Sequence, residues 1–216
     1  MRIALGIQYN GSAFCGWQTQ PDMPNVQDTL ESALKTFATV PISTICAGRT
    51  DTGVHATHQV VDFKAPVARP LSAWVRGVNT FLPPTVAVRW ACEVPEDLSA
   101  RFSATERTYE YWLLNDPVRS PLMEGFVGWV FRPCDETKMQ EAAQCLLGEH
   151  DFTSFRASEC QAKSPIRTIH EITVKRCGNM IGIRLRANAF LHHMVRNIVG
   201  SLVYVGTGKQ SVQWFN

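Results

Sequence analysis

The segment Gly48-Arg49-Thr50-Asp51-Thr52-Gly53-Val54-His55 carries the densest set of chemically capable side chains in the first half of the chain. Arg49 and Asp51 stand two residues apart, so a loop that curls can bring the guanidinium to the carboxylate. A carboxylate held that way stays ionised, the state a nucleophile needs. The same residues also suit a plain turn, in which Asp51 hydrogen-bonds nearby backbone and Gly53 supplies a positive φ. The segment alone leaves both readings open.

Other chemistries fit less well. Asp51-Thr52-Gly53 spells the aspartic-protease tripeptide, but that reaction needs two carboxylates sharing a proton, and the chain has no second triplet. His55 and His58 are three apart, with the nearest thiol, Cys46, across the Arg–Asp loop. His192 and His193 adjoin on a predicted helix, where neighbours diverge by about 100° and cannot share one ion. No metal site is expected. Gly208-Lys209 lacks both the following Ser/Thr and the upstream Gly of a phosphate loop. Tyr109 and Tyr111 share one face of a predicted strand, beside Arg107 and downstream of Arg101-Phe102. They are either core rings or a platform for an extruded base. In the apolar stretch Phe190–Asn197, Arg196 is the residue that burial explains worst.

The elements that must position these groups follow from hydrophobic spacing. Ile3, Leu5, Ile7 and Tyr9 alternate with polar or small residues, a strand that stops at Asn10-Gly11. Asn25 can cap a helix carrying Val26, Leu30, Leu34 and Phe37, ended by Pro41. Short strands near 44–47 and 59–64 flank the polar loop. Pro70 opens a helix through Phe81, and 86–94 reads as a strand. That order, β-α-β-β-α-β, is the ferredoxin-like split unit. A second pass gives a strand at 108–114, a helix at 135–147, strands at 166–176 and 180–187, and a helix at 189–205. Two related α+β halves, 1–104 and 105–216, are therefore expected, the second without its last strand.

Composition sets the class. With 216 residues, 45% hydrophobic and 19% charged, the chain is an ordinary globular protein, neither disordered nor collagen-like. The net charge of +2 says little, but 15 Arg against 6 Lys suits phosphate and base recognition. From Arg156 to Arg196, eight basic residues face two glutamates, compatible with an RNA surface or with a solvated one. Seven scattered cysteines without a C-x-x-C argue against a disulfide framework or zinc ribbon. No apolar run approaches the roughly 20 residues of a membrane span, and the N-terminus turns polar too soon for a signal peptide. A reduced, cytoplasmic, soluble protein is expected.

Taken together, four segments closely resemble the tRNA pseudouridine synthase A (TruA) family, over residues 2 to about 206. They are Tyr9-Asn10-Gly11 with Gly16-Trp17-Gln18; Gly48 to Ala56; Arg101-Phe102-Ser103-Ala104 with Arg107-Thr108-Tyr109; and Asn188 to Asn197. The resemblance implies isomerisation of uridine to pseudouridine at positions 38 to 40 of the tRNA anticodon stem-loop, without metal or cofactor. It implies that Asp51 is the catalyst, that Arg49 pairs with it and helps extrude the base, and that Tyr109 stacks on the uracil. Arg196 falls where the family has a basic residue near the active site. Arg69, the stretch Leu98, Ser99, Ala100, Arg101 and Phe102, and the stretch Glu159, Cys160, Gln161, Ala162 and Lys163 match tRNA contacts. It also implies a homodimer whose two ferredoxin-like halves form one long, mostly antiparallel sheet with helices on one face and a central cleft. Asn10 stands where the family usually has an acidic residue. A non-catalytic RNA-binding protein on the same scaffold is the rival reading.

Overall fold

Alternation along β1 (Arg2–Tyr9) sends Ile3, Leu5, Ile7 and Tyr9 into a core, each almost wholly buried. The structure, a computed structural model, describes residues 1–215. The chain divides into two units, Met1–Ala104 and a second from Thr105 onward.

In the first unit, β1 pairs antiparallel with β3 (Ala56–Lys64) on one side and β4 (Val86–Val94) on the other. A two-residue strand, β2 (Ile45–Cys46), completes the order β2-β3-β1-β4. Helix α1 (Val26–Ala38) starts where predicted because the Asn25 side chain accepts the Asp28 N–H at 2.8 Å. It ends at Thr39, whose φ of 63° breaks the helical run before Pro41. Helix α2 (Leu71–Asn79) is two residues shorter than its pattern predicts. Asn79 accepts the Val88 N–H and donates to the Val88 carbonyl, both at 2.8 Å, which ties the helix end to β4. Leu30 and Leu34 of α1 and Trp74 and Val78 of α2 cover the core face of β1. Burying each such side chain contributes about 1.5–3 kcal/mol.

A third, four-residue helix, α3 (Ala100–Ser103), lies against β3. Val61 and Phe63 of β3 point into the core, whereas Asp62 points the other way and accepts the Ala100 N–H.

The second unit has the strand order β6-β5-β9-β8-β7. Its strands are β5 (Arg107–Asn115), β6 (Gly128–Val130), β7 (Gly148–Asp151), β8 (Ile166–Cys177) and β9 (Met180–Ala187). Only β5 and β6 run parallel; the other pairs are antiparallel. The hairpin β8–β9 turns at Gly178, with φ 61°. Helix α4 (Glu136–Ala143) and helix α5 (Met194–Gly206) pack on one face through Met139, Ala142, Ile198 and Leu202. The expected helix 135–147 is shorter, continuing as a 3₁₀ turn at Gln144–Leu146. The expected helix 189–205 begins only at Met194, because His193 sits in the left-handed region at φ 61°. A short α6 (Val212–Phe215) follows. The edge strands β6 and β7 escaped the sequence reading because three or four residues carry no usable alternation.

Candidate active site

The loop that carries Asp51 is built against the stretch of the first motif segment, Tyr9 to Trp17. The Tyr9 and Thr50 hydroxyls are 2.8 Å apart, and the Trp17 N–H donates to the Thr50 carbonyl at 3.0 Å. The Gly53 N–H donates to the Phe14 carbonyl at 3.3 Å. His55 accepts the Gly11 N–H at Nδ1, 3.1 Å away, so that nitrogen carries no proton in this arrangement. Two glycines permit the approach. A Cβ on Gly16, whose φ is 93°, would lie 2.6 Å from the Thr50 carbonyl oxygen, and one on Gly11 would lie 2.1 Å from that of Val54. Asp51 itself is half-buried, and its carbonyl accepts the Val54 N–H at 3.1 Å, a turn with Gly53 at φ 77°. The segment is therefore a turn in its backbone, and a turn is compatible with a reactive carboxylate at Asp51.

Arg49 departs from expectation. It is exposed, and no ion pair joins it to Asp51 among the described residues. Its charge instead reaches Cys46: burial raises that thiol's pKa, Arg49 and Arg101 pull it partly back, and the net shift is upward. Asn10 caps the 3₁₀ turn Gly11–Ala13, its Oδ1 accepting the Ser12 N–H at 3.0 Å. A carboxylate oxygen would serve there equally, so the departure at this position is structurally neutral.

In the second unit, the two strand tyrosines part company. Tyr111 packs on the core, whereas Tyr109 stands edge-on to Phe190, ring centroids 5.0 Å apart at 81°. The fourth motif segment is a turn, not a helix, up to His193, and the His192 and His193 rings lie over one another with centroids 4.0 Å apart. The divergence expected of helical neighbours does not apply to them. Arg196 is exposed in the first turn of α5 and makes no ion pair among the described residues.

The same turn holds the segment Glu159–Lys163. The Ala157 N–H donates to the His192 carbonyl at 3.1 Å, and the His192 N–H points at the Cys160 sulfur, 3.5 Å away. Arg156 donates to the Cys160 carbonyl. Burial pushes the Cys160 thiol up, but the Ala162 and His192 N–H groups and the Arg156 charge outweigh it, and the net shift is downward. Glu159, Gln161 and Lys163 are exposed, and Ala162 is half-buried.

Two further contact candidates are arginine–aromatic pairs. Arg101 lies over the Phe102 ring at 5.1 Å, and Phe102 is 80% exposed. Arg69, also exposed, lies over Phe37 at 4.6 Å. Leu98 and Ser99 are half-buried and Ala100 is buried, so they support Arg101 and Phe102.

The basic run from 156 to 196 is partly neutralised. Arg186 pairs with Glu106 at 2.7 Å and Glu171 at 3.3 Å, Arg184 with Glu110 at 3.4 Å, and Arg176 with Glu136 at 2.9 Å. Sequence counting missed these because three of the four glutamates lie outside the run. It also missed the Tyr9–Thr50 contact, Gln59, whose side chain donates to the Gly48 carbonyl, and the buried Asp62. A polar residue at an inward register position of β3 was the available signal for Gln59.

A carboxylate fixed on a loop, with exposed arginine–aromatic pairs on the same unit, is the equipment of an enzyme that acts on nucleic acid. Comparison with known proteins narrows that class. The tRNA pseudouridine synthase family model matches residues 6–103 and 142–216. Three relatives, each named tRNA pseudouridine synthase A, are similar along nearly the whole chain. The protein from Herminiimonas arsenicoxydans is 59% identical, covering 99% of this chain and 79% of its own length. That from Burkholderia multivorans is 58% identical with the same coverage. That from Janthinobacterium sp. strain Marseille is 57% identical, over 99% of this chain and 81% of its own. The chain belongs to the tRNA pseudouridine synthase family. No helix among the described residues is long and apolar enough to cross a membrane.

Proposed function

We propose that this chain isomerises uridine to pseudouridine at positions 38–40 of the tRNA anticodon stem-loop, with Asp51 as catalyst and with neither metal nor cofactor. The observation that carries the reading is the Asp51 loop, held by Tyr9, Gly11, Gly16 and Trp17 in a chain of this family. A stem base is out of reach of any side chain, so the uridine flips out at a cost of a few kcal/mol. Phosphate contacts from Arg69, Arg101 and Lys163 and stacking on Phe102 and Tyr109 offset that cost.

The N1–C1′ bond then breaks, the uracil rotates, and C5 bonds to C1′ as its proton leaves and N1 gains one. Asp51 serves either as nucleophile at C1′ or as the group that triggers glycal formation. Its negative charge stabilises the cationic character at C1′ in both routes. Arg49, exposed and unpaired with Asp51 in the free protein, assists base extrusion. Arg196 is assigned to the catalytic group as the basic residue near the site.

The proposal extends to the architecture. The order β2-β3-β1-β4 with its two crossing helices supports a ferredoxin-like first half, and the second half is its relative. One continuous sheet with a central cleft, a homodimer and a cytoplasmic location complete it. The test is pseudouridine mapping on an unmodified tRNA transcript. New modification confined to 38–40 supports the reading; conversion elsewhere moves the substrate assignment, and tRNA binding without conversion favours the non-catalytic alternative.

A further inference from the structure

Asp62 is wholly buried, yet it lies on the face of β3 opposite the hydrophobic core. Arg2, on the neighbouring β1, grips one carboxylate oxygen through Nε at 2.7 Å and a terminal nitrogen at 2.5 Å. The other oxygen accepts the N–H of Ala100, first residue of α3. A buried carboxylate is costly unless paired in this way, and here each of its two oxygens has a partner.

Ser99 precedes α3 without a side-chain capping bond, and its buried hydroxyl has no partner among the described residues. What α3 carries is the 80% exposed Phe102 with the Arg101 guanidinium over its ring. A large ring left in water beside a cation is a stacking surface for a base, and its usefulness depends on being held in place.

We infer that Asp62, clamped by Arg2, is a positioning residue for RNA, fixing α3 so that Arg101 and Phe102 are presented to the tRNA in one geometry. This rests on the proposed tRNA contact at Leu98–Phe102. Asp62 touches no reacting atom, so it acts on substrate affinity and not on the chemical step.

The test is a double-mutant cycle on the full chain, with Asp62→Ala, Phe102→Ala and both together, read as KM and kcat for a tRNA transcript. Phe102→Ala is expected to raise KM about tenfold, the loss of one stacked base. Asp62→Ala is expected to raise it roughly fivefold, kcat within about twofold, and the double variant to fall well short of the product of the two effects. Multiplying effects, or a fall in kcat with unchanged KM, would overturn the role of Asp62 while leaving the contact reading intact. An unchanged KM in Phe102→Ala would instead overturn the contact reading and this inference with it. If Asp62→Ala does not fold, Asp62→Asn and Arg2→Gln carry the same cycle. Amide exchange at Ala100 must then quicken with the rise in KM; a KM rise with unchanged exchange would count against the clamp.

Discussion

The hydroxyl of Tyr9, at the end of the first strand, lies 2.8 Å from the hydroxyl of Thr50, the residue before Asp51. Tyr9 is almost wholly buried and tilted against Trp17, ring centroids 5.9 Å apart, so its ring is fixed before the hydroxyl makes its bond. Tyr9→Phe keeps the ring and removes that bond. It is expected to cost about 1 kcal/mol of stability and to lower kcat several-fold while leaving KM for tRNA unchanged. Denaturant unfolding and steady-state kinetics check the two parts.

Two glycines of the site separate backbone strain from crowding. At Gly16 an added methyl meets both a φ of 93° and the Thr50 carbonyl; at Gly53 it meets a φ of 77° and open space. Gly53→Ala is expected to cost about 1 kcal/mol and Gly16→Ala at least 3 kcal/mol, with loss of activity even where the protein folds. Urea midpoints of the two variants give the comparison.

The cysteines differ in predicted reactivity. The Cys160 thiol is shifted down by neighbouring N–H groups and Arg156 against its burial, whereas burial shifts Cys46 up. Since the thiolate is the nucleophile, iodoacetamide near neutral pH is expected to label Cys160 well before Cys46. Peptide mapping of a timed alkylation reads the order.

Tyr109 stands edge-on to Phe190, ring centroids 5.0 Å apart at 81°. Tyr109→Phe is expected to lose less activity than Tyr109→Ala, since stacking needs the ring. Equal losses in single-turnover assays would shift the role to the hydroxyl.

Where alternation was long, the chain was readable: Ile3, Leu5, Ile7 and Tyr9 announce β1, and Asn25 announces the start of α1. Legibility failed where a few residues override a pattern. His193 takes a left-handed backbone inside an apolar stretch that reads as helix, which moves His192 and His193 off the helix and stacks their rings. Arg49 and Asp51 are adjacent enough in sequence to pair, but Thr50 between them is held by Tyr9 and Trp17, and among the described residues no ion pair joins Arg49 to Asp51. Asp62 breaks the apolar character of β3 in a way no local pattern explains, because its partners, Arg2 and Ala100, are 60 and 38 residues away. The activity itself was legible only through the family resemblance, since spacing alone left Asp51 as either turn or catalyst.

The most direct test of the account is tritium release from C5-labelled uridine in an unmodified tRNA transcript, comparing the wild-type chain with Asp51→Asn. The account predicts release by the wild type and none above background for Asp51→Asn, with tRNA affinity within about threefold. A variant that keeps roughly a tenth or more of the wild-type rate would contradict the assignment of Asp51 as catalyst.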